Sequence, residues 1–171
     1  MKDFRKIFNN IYNSHIDKIY RFIFLKVSSQ EAAKDLTSET FLRFWERINN
    51  SQNSEIENPN AFLYQIAKNL VIDHYREKNQ AQLVVSTENL NIEINDPKTD
   101  LEKKIVFNSD LKQMQEAMTR LKDEYQDVII WYYLDDLSVS EIAEILDKSE
   151  NAIRVTIHRA LSALRETMNN K

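Results

Sequence analysis

A chain of 171 residues with no glycine and only two prolines carries almost none of the punctuation that interrupts helices, and this favours helix throughout. The same absence excludes Gly-rich phosphate loops, dinucleotide-binding fingerprints and collagen-like repeats, and with them most nucleotide-using enzymes. There is no cysteine, so neither a disulfide framework nor a thiolate metal site is available, which fits a reducing compartment. The N-terminal residues place polar side chains in every helical turn and no stretch approaches membrane length. A soluble, cytoplasmic protein without membrane insertion is expected.

Apolar periodicity divides the chain into two helical modules. Phe4, Ile7, Phe8, Ile11, Tyr12, Ile16, Ile19, Tyr20 and Ile23 line one face of a first helix ending near Ser28. Ser28 with Glu31 has the form of a capping box opening a second helix, whose stripe is Ala33, Leu36, Thr40, Phe41, Phe44, Trp45 and Ile48. An Asn- and Ser-rich loop over 49–58 leads to Asn58-Pro59, an N-cap with proline in the first turn. The third helix carries Phe62, Leu63, Ile66, Ala67, Leu70, Val71 and Tyr75 inward and is expected to run out near Lys78-Asn79. Residues 80–100 have weak periodicity and read as a flexible linker, with Leu83–Val85 and Ile92–Ile94 as candidate short strands. The second module, 101–171, opens with a stripe of Ile105, Leu111, Met114, Met118 and Leu121. Asp123 with Gln126 is then expected to cap a helix carrying Val128, Ile129 and Tyr132.

The end of the chain is the most specific region. Ser138 with Glu141 forms a capping box for a short helix, Asp147-Lys148-Ser149 interrupts it, and Ser149 caps a last helix with a buried stripe of Ile153, Ile157, Ala160, Leu161, Leu164 and Met168. This is the outline of a helix-turn-helix, with Ala143 as the small residue where two steeply crossed helices touch. The outer face carries Asn151, Arg154, Val155, His158, Arg159 and Ser162, side-chain types that reach phosphates, guanine edges and thymine methyls. Two arginines on an amphipathic helix more often make a solvated surface. Charge supplies the independent argument. The net charge of −4 alone argues against a nucleic-acid partner, yet residues 109–147 hold three basic and ten acidic residues, whereas 148–171 hold five basic and two acidic. The sign changes where the last helix begins.

The stretch Leu137-Ser138-Val139-Ser140-Glu141-Ile142-Ala143-Glu144-Ile145-Leu146, followed by Ala152-Ile153-Arg154-Val155-Thr156-Ile157-His158-Arg159-Ala160-Leu161, resembles the promoter-reading end of extracytoplasmic-function (ECF) sigma factors of bacterial RNA polymerase. Asp35 to Trp45 resembles that family's polymerase-binding segment, and Asn60 to Asp73 the segment that meets the opened promoter. The resemblance covers both modules in the right order. Two departures are Asp147, where the family commonly has Gly in the turn, and the long Asn-rich loop before Pro59.

The resemblance implies an all-α protein of two small helical domains joined by a linker: 1–79 for the minus-ten element and polymerase binding, 80–100 as linker, and 101–171 for the minus-thirty-five element. It implies minus-thirty-five contacts by Asn151, Arg154, Val155, His158 and Arg159. Tyr64, Asn69 and Asp73 would meet the minus-ten element, and Asp35, Glu39, Leu42 and Arg43 would face the polymerase. The partners implied are core RNA polymerase, promoter DNA and an anti-sigma factor whose identity the sequence does not reveal, with the chain itself a monomer. No cofactor, metal or catalytic residue is expected: His15, His74 and His158 fall on three helices without ligand spacing, and Asp135-Asp136 beside a helix cap reads as a solvated turn. The competing reading is a stand-alone helix-turn-helix regulator, which would be a dimer on palindromic sites.

Overall fold

The structure, a computed structural model, describes residues 3–50, 56–84, 113 and 115–169. The N-terminal module is three helices: α1 (Phe4–Val27), α2 (Gln30–Asn50) and α3 (Pro59–Val84). Asp3 caps α1 by accepting from the Lys6 amide at 3.3 Å. The corner to α2 uses two serines. Ser28 ends α1 in the left-handed region at φ 56°, its amide bonded to the Phe24 carbonyl, and Ser29 then accepts from the Ala32 amide at 3.3 Å. The N-cap is therefore Ser29, one residue after the expected Ser28, because the left-handed residue closes the preceding helix. Asn58 caps α3 as expected, its side-chain oxygen taking the Ala61 amide at 3.1 Å. α3 runs to Val84 instead of ending near Asn79, since Lys78–Val84 holds good helix formers and no breaker. Leu83 and Val84 are thus helical; Val85 and Ile92–Ile94 lie outside the described residues.

The C-terminal module begins, within the described residues, with a helical turn at 115–119. It continues through α4 (Asp123–Ile129), which widens without a break into a π-helical turn (Ile130–Leu134), then α5 (Val139–Leu146) and α6 (Glu150–Asn169). Met118 and Leu121 are buried as their stripe predicts, whereas Ile105, Leu111 and Met114 lie outside the described residues. Asp123 is not a cap: Lys122 precedes the helix and makes no side-chain cap bond. Gln126 instead turns inward and donates to the carbonyls of Met118 at 2.8 Å and Leu121 at 3.0 Å, satisfying the end of the preceding turn.

The two modules pack directly against each other, and their buried side chains form one continuous apolar cluster. Trp131, on the π-helical turn, is fully buried with its ring 5.3 Å from Phe22 of α1 and 6.0 Å from Tyr64 of α3. Each such aromatic pair adds about 0.5–1.5 kcal/mol beyond area burial. The acidic pair after this turn divides. Asp136 is exposed at φ 54°, as a turn residue should be. Asp135 departs from the expected solvated role: its side chain is inaccessible to solvent, 2.6 Å from the Arg21 guanidinium, and it accepts from the Tyr64 hydroxyl at 3.1 Å. Burial pushes the Asp135 carboxyl above its ordinary range, and Arg21 opposes that shift. Sequence periodicity does not reveal a partner 114 residues away.

Candidate nucleic-acid interface

The helix-turn-helix is built from local bonds the sequence encodes. Ser138 Oγ accepts from the Glu141 amide at 3.1 Å while Glu141 Oε2 accepts from the Ser138 amide at 2.7 Å, a complete capping box. α5 stops at Asp147, which adopts φ 52°, ψ 51°, and the next amide, of Lys148, reaches back to the Ala143 carbonyl at 3.0 Å. Aspartate tolerates this left-handed turn where glycine would be cost-free. Ser149 caps α6 through the Ala152 amide at 3.2 Å. Ala143 and Ile153 are both buried where α5 meets α6, and Ile153, Ile157 and Ala160 anchor α6 inward.

That anchoring fixes the opposite face outward. Asn151, Arg154, Val155, His158 and Arg159 are all exposed, with Val155 at 47%. Arg154 donates to Asn151 Oδ1 and to Glu150 Oε2, each at 3.1 Å, so its guanidinium is held over the first turn of α6 by exchangeable surface bonds. No bond to another described residue holds His158 or Arg159. α6 thus offers two guanidinium groups, an imidazole, an amide and a methyl-bearing side chain along one outward strip, the mixture a major groove requires.

On the N-terminal module the predicted residues separate. Asn69 and Asp73, one turn apart on α3, are exposed. Tyr64 is not: it is fully buried against Trp131, and its hydroxyl is bound to Asp135, so in this conformation it cannot touch DNA. Desolvation and the neighbouring Asp135 both raise its phenol far above the ordinary value. The sequence stripe had assigned Phe62, Leu63 and Ile66 inward and left Tyr64 to solvent; the second module covers what a lone three-helix unit would expose.

Asp35, Leu42 and Arg43 are exposed on α2 and Glu39 is half-exposed, with Arg43 donating to Glu39 at 2.7 Å. Beside them lies an open, mainly apolar groove of about 410 Å³ lined by Arg5, Phe8, Asn9, Phe41, Leu42 and Trp45. Arg5, Phe8 and Asn9 were not anticipated as part of this face, although a first-helix stripe extending back to Phe4 is longer than burial on one neighbour requires. Among the described residues no cluster of three His, Asp or Glu is arranged to hold a metal ion, and no helix is long and apolar enough to cross a membrane.

Two family models match this chain: Sigma-70 region 2 over residues 11–81 and Sigma-70, region 4 over residues 111–164. The ECF RNA polymerase sigma factor SigW of Bacillus subtilis is 30% identical over 168 residues, covering 94% of this chain and 88% of SigW. The chain belongs to the ECF sigma factors of RNA polymerase. BldN of Streptomyces coelicolor, another ECF sigma factor, is 32% identical over 157 residues, but this sigma factor spans only 58% of BldN's length. Its fold is that of RpoE from Bartonella quintana, solved with the anti-sigma factor NepR, at a TM-score of 0.71 with 19% identity over 99% of this chain and 98% of RpoE. CnrH, solved with the cytosolic domain of CnrY, is similar at a TM-score of 0.70, with 16% identity over 98% of this chain and 90% of CnrH.

Proposed function

We propose that this cytoplasmic sigma factor directs core RNA polymerase to promoters by reading the minus-thirty-five element with the outward strip of α6. Asn151, Arg154, Val155, His158 and Arg159 make the base and phosphate contacts. Asn69 and Asp73 on α3 meet the minus-ten element, while Asp35, Glu39, Leu42 and Arg43 form the polymerase-facing surface. The region boundaries are 1–79, 80–100 and 101–171, with α3 prolonging the first to Val84. The observation that carries this reading is the burial of Ile153, Ile157 and Ala160, which forces both arginines of the strip into solvent.

The chain supplies binding energy and no covalent step. A guanine held by one arginine through two hydrogen bonds is worth about 1–3 kcal/mol of discrimination. Opening DNA costs about 1.4 kcal/mol per base-pair step, so melting depends on captured bases and on the polymerase together. The residues 109–147 carry a strong acidic excess next to the basic α6, which keeps free-chain affinity for DNA low and makes delivery by the polymerase necessary. An anti-sigma protein is a further partner in this reading, by analogy with the complexes of RpoE and CnrH. The test is initiation by core enzyme with and without this protein on a genomic template, followed by sequencing of the transcripts. Starts that share one minus-thirty-five and one minus-ten sequence and require the protein support the reading; no dependence on the protein contradicts it.

A further inference from the structure

Glu150 is an acid out of place on a DNA-facing helix. It stands in the first turn of α6, where helix-turn-helix proteins bring side chains to base edges, and a carboxylate there repels phosphate. Residues 148–171 hold only one other acid, Glu166, sixteen positions on and about 24 Å further along the helix. Ser149 already caps α6 through its own hydroxyl, so the helix start does not depend on Glu150. What Glu150 does in the structure is hold an arginine. Its Oε2 accepts from Arg154 Nη2 at 3.1 Å, while Asn151 Oδ1 accepts from Arg154 Nη1 at 3.1 Å. Both terminal nitrogens of one guanidinium are thereby bound by the turn that precedes it. Arg159, on the same outward strip, and His158 beside it have no bond to another described residue.

We propose that Glu150 is a positioning residue that sets promoter selectivity by fixing the Arg154 guanidinium before DNA arrives. This role presupposes the reading of the minus-thirty-five element by α6 argued above. As an ion pair the contact is weak, since the Arg154 and Glu150 side chains are 56% and 50% exposed and water screens them, so stabilising the fold is not its main consequence. As an orienting contact it matters more. Pinning one long, freely rotating side chain costs a factor of about 2–10 in affinity, and a guanidinium already held by two acceptors has lost that freedom beforehand. Each terminal nitrogen carries two hydrogens and spends one inside the helix, which leaves one on each for the paired acceptors O6 and N7 of guanine. An unheld guanidinium turns to whichever phosphate or base edge is nearest and so adds affinity with less discrimination. Glu150 also repels the phosphates that would compete for the same guanidinium.

Reach and charge separate at this position. Glu150→Gln keeps a side-chain oxygen for Arg154 and drops the charge, whereas Glu150→Ala drops both. Initiation by reconstituted polymerase on a library randomised at the minus-thirty-five element compares the parent with R154A, R159A, E150A and E150Q. E150A is expected to relax selectivity about threefold to tenfold at the position that R154A relaxes, and to leave the position that R159A relaxes as in the parent. E150Q should stay within about twofold of the parent at both. The positioning role is overturned if E150A relaxes nothing, if it relaxes both positions alike, or if E150Q matches it. Relaxation by E150A at a third position also overturns it, because the carboxylate then reads a base itself. No relaxation by R154A contradicts the promoter reading, and the selectivity role with it, whereas the hold on Arg154 is read without DNA. In the free full-length chain, nitrogen NMR is expected to show the Arg154 guanidinium rotating about threefold or more slower than that of Arg159, faster in E150A and still slow in E150Q. Equal rates for the two arginines in the parent overturn the positioning role whatever the library returns.

Discussion

Lys26 and Asp127 are the most deeply buried opposite charges between the modules, with side chains 4% and 6% exposed and the ammonium 3.0 Å from the carboxylate. Burial pushes the Asp127 carboxyl above its ordinary range, and Lys26 pulls it back. Replacing Lys26 by Met removes the counter-charge and leaves the carboxylate in a dry site, a change that costs about 3–5 kcal/mol when one partner of a buried pair is lost. Lys26 also contacts Asp123 at 3.5 Å, but that carboxylate is 85% exposed and adds little. At about 2–4 °C per kcal/mol for a chain of this size, the melting temperature falls by about 6–20 °C. K26M/D127L, which replaces both charges by apolar groups, is expected to recover most of the loss, because the penalty is the orphaned charge and not the missing bond.

The pH dependence has a definite sign. Asp127 has a folded-state value above its unfolded one, so its protonation favours folding, and that contribution fades as pH rises through the folded value. Lys26→Met raises the folded value further. The stability gap between K26M and the parent therefore narrows as pH falls from 7 toward 5. Urea unfolding of parent, K26M, D127L and the double variant across that range reads the coupling directly. A loss below about 1 kcal/mol in K26M, simple additivity in the double variant, or a gap that widens in acid would refute the reasoning.

Three other substitutions probe separate parts of the molecule. Ser138→Ala removes half of the capping box at α5 and should cost about 1 kcal/mol, read as a lower urea midpoint, with Ser138→Gly milder than Ala. Asp147→Gly relieves a left-handed residue at φ 52° and should raise the melting temperature by about 1–4 °C without altering promoter choice. Leu42→Glu places a charge on the exposed edge of the groove beside Trp45; it should leave the circular dichroism melt unchanged while lowering affinity for core polymerase at least tenfold in a titration.

The parts of this fold legible in the sequence are those fixed by bonds within one turn. Asn58, Ser138 and Ser149 each cap the helix that follows them, because a cap needs only a short polar side chain and an amide three residues on. The outward strip of α6 was legible for the same reason, since its inward stripe is strictly helical. Ser29 in place of Ser28 and the five extra residues of α3 are boundary shifts, decided by a single left-handed residue and by the lack of any stop signal. Asp135 and Tyr64 were misjudged for a different cause. Their surroundings come from segments 71 and 114 residues distant in the chain, and nothing local marks an aspartate that will be buried against an arginine. The π-helical turn that aims Asp135 inward has no pattern of its own in Ile130–Leu134, which reads as an ordinary apolar run.

Base discrimination by reconstituted polymerase on a promoter library randomised at both elements measures what α6 does. With R154A and with R159A, selectivity should relax at one or two minus-thirty-five positions by about fivefold to a hundredfold while minus-ten selectivity and protein stability stay as in the parent. Unchanged minus-thirty-five selectivity in both variants would show that the outward strip of α6 does not read the promoter.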